Sequence, residues 1–266
     1  MNLQNPPQPE PFTPPPVYEV SPQSVFRWLA LGWQDMRHTG APSLMHGLIV
    51  MVASLVIVEI TVLYWPLLPG AVSGFMLTGP FLATGLYALS KKREEGNTTS
   101  FKDVLNAWRH GSHYLFSIGL LLVLSASAWV IFSVLMFHFF IDVAISTPLD
   151  FFRYVLTQDD KLFMLWAVLG GLGSALAFSI TVISLPLLVE RDISTRLAIL
   201  TSVRTVGQNP FTMLWWAMVI FLLTGFSFIT LMLGFIVLYP LLGHASWHVY
   251  RDLVDASELP LRRTAE

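Results

Sequence analysis

Residues 162–189 read LFMLWAVLGGLGSALAFSITVISLPLLV, a stretch that contains no charged side chain. An α-helix crosses roughly 30 Å of hydrocarbon with about 20 apolar residues, because each residue adds about 1.5 Å. This stretch is long enough and apolar enough to be a transmembrane helix. It also carries Pro186, which in a helix interior removes one backbone hydrogen bond and favours a kink.

The composition of the whole chain agrees with that stretch. The chain has 266 residues, of which 54% are hydrophobic and 12% charged, and its mean hydropathy is +0.63. Soluble domains carry about 25% charged residues, so a soluble enzyme, a nucleic-acid binder and a disordered chain are all excluded. The absence of cysteine excludes disulfides and thiolate metal sites. The composition therefore predicts an integral membrane protein.

Further apolar tracts predict a six-span, all-α membrane bundle. The last tract, 211–249, would be about 58 Å long as a single helix, which is too long for one crossing. We therefore divide it at Gly225–Phe226–Ser227, where small residues favour a turn. The predicted spans are about 42–65, 67–90, 112–141, 162–189, 210–226 and 228–249.

The basic residues predict the orientation of these spans. With the amino terminus inside, thirteen of the fifteen Lys and Arg residues lie on the inner side and only Arg153 and Lys161 on the outer side. Inner loops of membrane proteins carry this excess of Lys and Arg. The distribution predicts that both termini are cytoplasmic and that the outer loop 142–161 is the largest outer segment.

The two ends of the chain differ from the membrane domain, 23–256. Residues 1–22 contain eight prolines, which predicts a disordered cytoplasmic tail with polyproline II character. Such a tail is either a docking motif for a proline-binding domain or simply solvated. Residues 257–266 are predicted to form a second cytoplasmic tail.

Three amphipathic stretches precede the hairpins and predict an internal repeat. They are an interfacial helix at 23–38, a second behind a capping box of Ser100 and Asp103, and a third at 193–206. In the first, we place Trp28 and Trp33 on the apolar side and Asp35 on the polar side. The span that returns inward after each stretch has an internal proline and a predicted kink, at Pro80, Pro186 and Pro240. The prediction is three tandem units, each an interfacial helix followed by a helical hairpin.

One carboxylate, Glu59, falls well inside a predicted span. An ionisable group in hydrocarbon is a functional candidate by default, because its burial is costly. Glu59 could carry a proton or bind a cation. Alternatively, it lies close enough to the outer end of the span to reach interfacial water.

A second candidate site follows from alignment of the three returning spans on their prolines. The alignment brings Glu190, Arg191, His244 and Tyr87 to one level, where they could line a polar pocket open to the cytoplasm. Otherwise, Glu190 and Arg191 are solvated because their span ends earlier. His244 and His248 are four residues apart, a spacing that can hold a metal or haem, but histidine is also common at membrane interfaces. No third ligand and no nucleotide or hydrolase motif is found, so no cofactor is predicted.

Several stretches together resemble a proteobacterial family of integral membrane proteins that is catalogued only as a domain of unknown function. They are Gly32-Trp33-Gln34-Asp35, Gly79-Pro80 through Ser90-Lys91 to Glu95-Gly96, Ser184-Leu185-Pro186-Leu187-Leu188 with Arg191-Asp192, Asn209-Pro210 with Trp216, and Gly243 through Arg251. Some members carry the label cytochrome c oxidase subunit I, but oxidase subunits have more spans and a His-Pro-Glu copper motif that this chain lacks. The resemblance implies a bacterial inner-membrane location and no catalytic residue.

Three functions are compatible with these features. A non-enzymatic membrane scaffold or accessory protein is favoured because catalytic motifs are missing, and its partners would be membrane lipids and a membrane protein or a second copy, not nucleic acid. A small transporter or channel would use the kinked repeats and Glu59. A haem or metal redox protein would use His244 and His248.

Overall fold

A computed structural model of the protein describes residues 14–63, 67–140, 153 and 161–262. Within these residues the chain is helical, and its only β-type contacts are two isolated bridges, Val17 with Val254 and Arg191 with Leu261. The helices are α1 (Ser24–Thr39), α2 (Ala41–Leu63), α3 (Leu68–Leu82), α4 (Thr84–Glu94), α5 (Phe101–Arg109), α6 (His113–Phe140), α7 (Lys161–Thr181), α8 (Ser184–Glu190), α9 (Thr195–Gln208), α10 (Pro210–Ile229) and α11 (Phe235–Leu253).

Four helical segments are long and apolar enough to cross a membrane. They are Ala41–Ile60, His113–Phe140, Lys161–Glu190 and Pro210–Ile229. Their outer faces expose large apolar side chains, among them Val56, Leu124, Leu172 and Phe221. A soluble monomer rarely exposes apolar surface of this extent, so these faces are suited to contact with lipid tails.

The predicted spans at 67–90 and 228–249 do not form long, uniformly apolar helices. The span at 67–90 is divided, because α3 ends at Leu82 and α4 begins at Thr84. The span at 228–249 corresponds to α11, whose second half carries polar and charged side chains. The six-span count and the three repeats therefore stay predictions, as does the outer loop 142–161, which apart from Arg153 and Lys161 lies outside the described residues.

The predicted turn at Gly225–Phe226–Ser227 is wrong. α10 continues to Ile229, and the chain reverses over 230–234, where Leu231 and Met232 adopt positive φ angles of 51° and 68°. The Ser227 hydroxyl donates to the carbonyl of Leu223 at 3.0 Å, a bond within the helix. Ser227 therefore belongs to the helix, which gains the length of about 20 residues that a crossing requires.

Helix α11 is the centre of the bundle and contacts α1, α2 and α4. Glycines allow this close approach. A Cβ added to Gly32 of α1 would lie 2.6 Å from the backbone nitrogen of Ala245, and one added to Gly47 of α2 would collide with the carbonyl of Ile236. Small residues let helix backbones pack closely in membranes, so α1 and α2 lie directly against the backbone of α11.

The three prolines have different structural consequences. The helix breaks at Ala83, three residues after Pro80, and it breaks before Pro186, which lies in the first turn of α8. Pro240 lies inside the unbroken α11. Proline at this position cannot donate to the carbonyl of Ile236, and the backbone of Gly47 lies against that carbonyl. α11 is thus uninterrupted at Pro240, and α2 packs closely against the carbonyl that lacks its helical hydrogen bond.

Both helix breaks are closed by side chains from amphipathic helices. Trp108 of α5 donates through Nε1 to the carbonyl of Leu82 at 3.3 Å. Ser202 of α9 accepts from the backbone N–H of Ile183 at 3.2 Å and donates to the carbonyl of Ser179 at 2.7 Å. Backbone groups exposed by a break in a membrane helix need such partners, so α5 and α9 stabilise the two broken helices.

The two terminal segments contact the bundle where the structure describes them, which corrects the predicted disorder for residues 16–20. Residues 1–13 lie outside the described residues. Tyr18 donates from its backbone to the carbonyl of Leu253 at 2.9 Å, and Asp255 donates in the same way to Pro16 at 3.0 Å. The side chain of Asn209 accepts from the backbone of Val20 and donates to that of Tyr18. The backbone bonds of residues 16–20 therefore hold this segment against the bundle despite its prolines.

These segments meet in one region of the molecule, which we call the polar end. It comprises α1, α4, α5, α8, α9, the first two turns of α10, the second half of α11, and residues 16–20 and 254–262. Its core is aromatic, with Trp28, Trp216, Trp247 and Tyr250 almost fully buried. The rings of Trp28 and Trp216 pack edge to face with centroids 5.9 Å apart. The largest buried side chains thus lie outside the lipid-facing part of the bundle.

The close contact at Gly32 predicts a specific sensitivity to added volume. The Gly32→Ala variant should lose about 1–3 kcal/mol of stability, because its methyl group meets the backbone of Ala245. The matched control is Gly207→Ala in α9, where a Cβ meets nothing within 4 Å and alanine favours a helix. Thermal unfolding in detergent should show a lower melting temperature for Gly32→Ala alone. Equal melting temperatures for the two variants would contradict the close approach of α1 and α11.

Candidate functional site

The centre of the polar end is the carboxylate of Asp35, which is 1% exposed. Arg93 of α4 forms an ion pair with it. Its Oδ2 accepts from the Ser90 hydroxyl at 2.5 Å and lies 3.0 Å from Nε2 of His248. A buried carboxylate is tolerated only when charge and hydrogen bonds compensate it. Asp35 thereby joins α1 to α4 and α11.

This burial corrects the orientation predicted for α1. The buried residues of α1 include Trp28, Gly32, Asp35 and Thr39, which follow one another at intervals of three or four and so share one helical face. That face packs against α4 and α11, whereas Trp33 is exposed. The spacing of Asp35 from Trp28 is compatible with one shared face, but a charged residue at a membrane surface favours water, so the sequence alone predicts the opposite side.

His244 extends this network into the bundle. The imidazole is completely buried and lies between two hydroxyls, with Ser90 Oγ 2.7 Å from Nδ1 and Ser43 Oγ 2.8 Å from Nε2. His248 instead faces Asp35. The two histidines, predicted as weak metal candidates, thus have different partners. Within the described residues, no group of three His, Cys, Asp or Glu side chains could hold a metal ion.

Glu190 and Arg191 form a second polar cluster. They are 7% and 8% exposed and pair with one another at 3.2 Å. The Tyr250 hydroxyl donates to Glu190, and Arg251 reaches Glu190 Oε1 at 3.4 Å. The alternative in which this ion pair is solvated is therefore wrong.

The second cluster also anchors the C-terminal segment. Arg191 donates to the carbonyl of Leu259 at 2.7 Å, and the backbone N–H of Arg262 donates to the carbonyl of Glu190 at 3.0 Å. The backbone of Asp192 donates to Pro260 at 2.9 Å. The chain from Leu259 to Arg262 therefore lies along the end of α8.

The structure does not bring Glu190, Arg191, His244 and Tyr87 together in the predicted pocket, because they lie in three different environments. Glu190 and Arg191 belong to the second cluster, and His244 bonds to Ser43 and Ser90. Tyr87 is buried in the main hydrophobic core. Packing of the intervening side chains thus separates groups that the proline alignment put at one level.

Glu59 is exposed on the outside of α2. It has neither a hydrogen bond nor an ion pair within the part of the chain that the structure describes. It lies away from both polar clusters, which are at the opposite end of the bundle. Its assignment as an ion site stays a prediction.

Sequence reasoning missed His46 as a site residue. This imidazole of α2 is completely buried, and neither ring nitrogen has a hydrogen-bond partner of ordinary geometry in the described residues. Tyr239 stacks on the ring with centroids 5.8 Å apart and planes at 15°, and Trp108 lies at 5.1 Å. Its surroundings come from three separate helices, so no local pattern indicates them.

The amphipathic helix α5 has an acidic first turn that stabilises its start. The Asp103 carboxylate accepts from the backbone of Ser100 at 2.7 Å and from Nζ of Lys92 at 2.7 Å. Partial burial opposes ionisation of this group, but the hydrogen bonds from Lys92 and Ser100 outweigh it and hold the pKa of Asp103 below its usual 3.8. The capping box predicted for this helix is present.

The bundle, with its apolar exterior and its polar end, defines an all-helical integral membrane protein. Comparison with known families supports this class: the family model of a predicted integral membrane protein, DUF2189, matches residues 67–190. The match runs from the start of α3 to the end of α8 and so includes Ser90, Arg93 and Glu190. It confirms the resemblance to a membrane family catalogued as a domain of unknown function. No curated protein and no solved structure matches the chain.

The Asp35 network predicts a large cost for loss of its carboxylate. Asp35→Ala should cost about 3–5 kcal/mol of stability, because it removes one partner of a buried ion pair. The control is Glu95→Ala, whose carboxylate is 52% exposed and 4.0 Å from Lys91, and whose loss should cost at most about 0.5 kcal/mol. Thermal unfolding in detergent measures both variants. A melting temperature of Asp35→Ala equal to that of Glu95→Ala would refute the central role of Asp35.

Asp103 predicts an acid dependence of stability. Its pKa is lowered in the folded chain, so its contribution is full above the unfolded pKa of 3.8 and is lost as the pH falls through the folded pKa. The Asp103→Asn variant should therefore be less stable than wild type at neutral pH by about 1 kcal/mol, and its melting temperature should be lower. The difference should narrow in acid. Melting curves at about pH 7 and about pH 3 check this, and a gap that widens in acid would disprove it.

Proposed function

We propose that the protein is a non-enzymatic scaffold or accessory protein of the bacterial inner membrane. In this proposal it has six spans in three hairpin units, both termini are cytoplasmic, and the polar end faces the cytoplasm. The excess of basic residues on this side supports the orientation. Membrane lipids and a membrane protein, or a second copy of the chain, are the proposed partners.

The packing of the amphipathic helices supports the three units. α5 contacts α4, and α9 contacts α7 and α8, so each lies on the returning helix of the preceding unit. α1 contacts α11, the returning helix of the last unit. Trp108 and Ser202 each bond to the backbone of the broken helix against which their own helix packs. This cyclic order is what three tandem units around a common axis would produce.

The observation that carries the scaffold proposal is the pairing of the buried charges within the chain. Asp35 pairs with Arg93, and Glu190 with Arg191 and Arg251. These groups hold helices and the C-terminal segment together, and their ionic contacts are satisfied by the protein itself. A cavity of about 260 Å³ lies elsewhere, between α6 and α7, with a mainly apolar lining that includes Leu122, Trp129 and Ala177. A rigid polar end suits assembly better than turnover of a polar substrate.

The outer face of α1 offers a surface for that assembly. Phe26 is 63% and Trp33 43% exposed, on the side of α1 opposite to Trp28 and Asp35. Aromatic residues are favoured both at membrane interfaces and in protein interfaces. We therefore propose that this face contacts lipid headgroups and the partner protein together.

A photoreactive phenylalanine analogue at position 26 tests the proposal in cells. Illumination should give a discrete adduct with one protein, because Phe26 projects from the polar end. The control places the analogue at Val56, which is 53% exposed on the apolar flank of α2 and should react with lipid. Absence of any protein adduct from position 26, in strains that retain the folded protein, would argue against a scaffold.

A small transporter or channel is the second candidate, because a completely buried imidazole, His46, lies inside the bundle. Ion flux in vesicles that contain the purified protein separates the two functions. A scaffold gives no flux above empty vesicles, whereas reproducible flux of one ion would favour the transporter.

A further inference from the structure

The connection between α5 and α6 marks the level at which the polar end meets the apolar part of the bundle. α5 ends at Arg109, and α6 begins at His113. α6 is one of the four helical segments that are long and apolar enough to cross a membrane. We call residues 109–114 the α5–α6 corner. Because it directly precedes a membrane-spanning helix, the corner lies at the depth of the lipid headgroups.

Two other parts of the chain contact the backbone of this corner. The guanidinium of Arg262, in the C-terminal segment, donates to the carbonyl of His110. The hydroxyl of Thr195, at the start of α9, donates to the carbonyl of Tyr114 at 3.2 Å. The corner is therefore held in place by residues that are distant in the chain.

The corner carries positive charge without a paired carboxylate. Elsewhere at the polar end, arginines form ion pairs, among them Arg27 with Asp252, Arg93 with Asp35 and Arg251 with Glu94. Arg109 is exposed and has no ion pair within the described residues. Arg262 has none there either, although it is partly buried. The two guanidinium groups thus lack the neutralisation that other arginines of this region have.

The surroundings of Arg262 favour an added anion. Burial disfavours its charge and lowers the pKa of the guanidinium, and the attraction of Asp192 opposes this only in part. Arginine nevertheless stays protonated in proteins. Removing a charge from water is costly unless an opposite charge or hydrogen bonds compensate it. A negatively charged group beside Arg262 would supply that compensation.

The start of α6 adds hydrogen-bond donors to the corner. Ser112 accepts from the N–H of Leu115 at 3.2 Å through its hydroxyl and from the N–H of Phe116 at 3.1 Å through its carbonyl. The backbone N–H groups of His113 and Tyr114 have no acceptor within the part of the chain that the structure describes. The start of a helix carries partial positive charge and is suited to phosphate oxygens.

An apolar face of α6 continues from the corner into the membrane. His113, Phe116, Leu120 and Leu124 follow one another at intervals of three or four and so share one face of the helix. His113 is exposed, and the three apolar side chains are 44%, 60% and 58% exposed. A phosphate with acyl chains can use this face, whereas a soluble phosphate cannot. The combination of positive charge and apolar surface therefore fits a lipid.

We propose that the α5–α6 corner binds the headgroup of one anionic phospholipid, with Arg109 and Arg262 as its cationic contacts and the exposed face of α6 as the surface for its acyl chains. A zwitterionic headgroup carries its own positive charge and gains less from the two arginines. The proposal requires only that the corner lies at a bilayer surface, so it depends neither on the scaffold function nor on the orientation of the chain.

The bound lipid also has a structural consequence. The backbone N–H of Arg262 donates to the carbonyl of Glu190 at 3.0 Å, while its side chain reaches His110. A headgroup on this side chain therefore links the C-terminal segment and the end of α8 to the start of α6.

Lipid titrations of the full-length protein test the site. The protein is purified in a neutral detergent, depleted of lipid and titrated with phosphatidylglycerol or phosphatidylcholine, and native mass spectrometry counts the bound molecules. One phosphatidylglycerol should bind at least about tenfold more tightly than phosphatidylcholine, because two basic residues contact its headgroup. Soluble glycerol phosphate, which lacks acyl chains, should not displace it.

Single variants locate the site. Arg109→Gln should weaken phosphatidylglycerol binding about fivefold, the contribution of one basic residue near an anionic lipid. Arg262→Gln should do the same, whereas Arg262→Lys should retain most of the affinity because it keeps the charge. If Arg262→Gln does not fold, Arg109→Gln carries the same expectation, since its side chain is exposed.

The matched control is Arg37→Gln. Arg37 is exposed, has no ion pair within the described residues and lies shortly before α2, which begins at Ala41. It therefore removes an equivalent charge at the start of another membrane helix, and it should bind phosphatidylglycerol as wild type does. Equal binding of the two phospholipids would overturn the proposal. So would equal losses in folded Arg109→Gln and Arg37→Gln, or displacement of the lipid by equimolar glycerol phosphate.

Discussion

The burial of one carboxylate constrains the arrangement of the polar end. Asp35 has almost no contact with solvent, and an ionised group in that position must have a counter-charge and hydrogen bonds. Arg93 and Ser90 supply them from α4, and His248 from α11. These helices can therefore occupy only positions that bring the last turns of α4 and α11 to the same face of α1. Through His244, the constraint also extends to Ser43 on α2.

Backbone contact is the second constraint, and it acts where the hydrophobic effect is weakest. Lipid tails are as apolar as leucine, so helices in a membrane associate mainly through close packing and hydrogen bonds. Gly47 lets α2 touch the backbone of α11 within the bundle, and Gly32 gives α1 the same contact at the polar end. Where α3 and α7 break, Trp108 and Ser202 satisfy the exposed backbone groups. Close contacts at glycines and hydrogen bonds from side chains therefore stabilise the association of these helices, as the burial of apolar surface does in a soluble core.

The two polar clusters have related but different consequences. The Glu190 cluster joins α8, α11 and the C-terminal segment, and its groups bond mainly to each other. The Asp35 cluster continues inward to His244, which is fully buried and makes two hydrogen bonds. It reaches Ser43 of α2, one turn before His46. The first arrangement stabilises a fold. The second also places a row of hydrogen-bonded polar side chains inside the bundle.

Local chemistry determined much of this protein from its sequence. The membrane class, the start of α6, the start of α5 at its capping box and the disturbance of the helices at Pro80 and Pro186 depend on hydropathy, caps and proline geometry, which are properties of neighbouring residues. The turn expected at Gly225 is wrong, because α10 continues to Ile229, and α11 is unbroken at Pro240, where α2 packs against it. Only the tertiary structure decided that Asp35 faces inward, that Glu190 and His244 lie in separate networks, and that His46 meets Trp108 and Tyr239. Each of those outcomes depends on contacts between helices distant in the chain, and the free energy of such contacts is not encoded in the periodicity of any one helix.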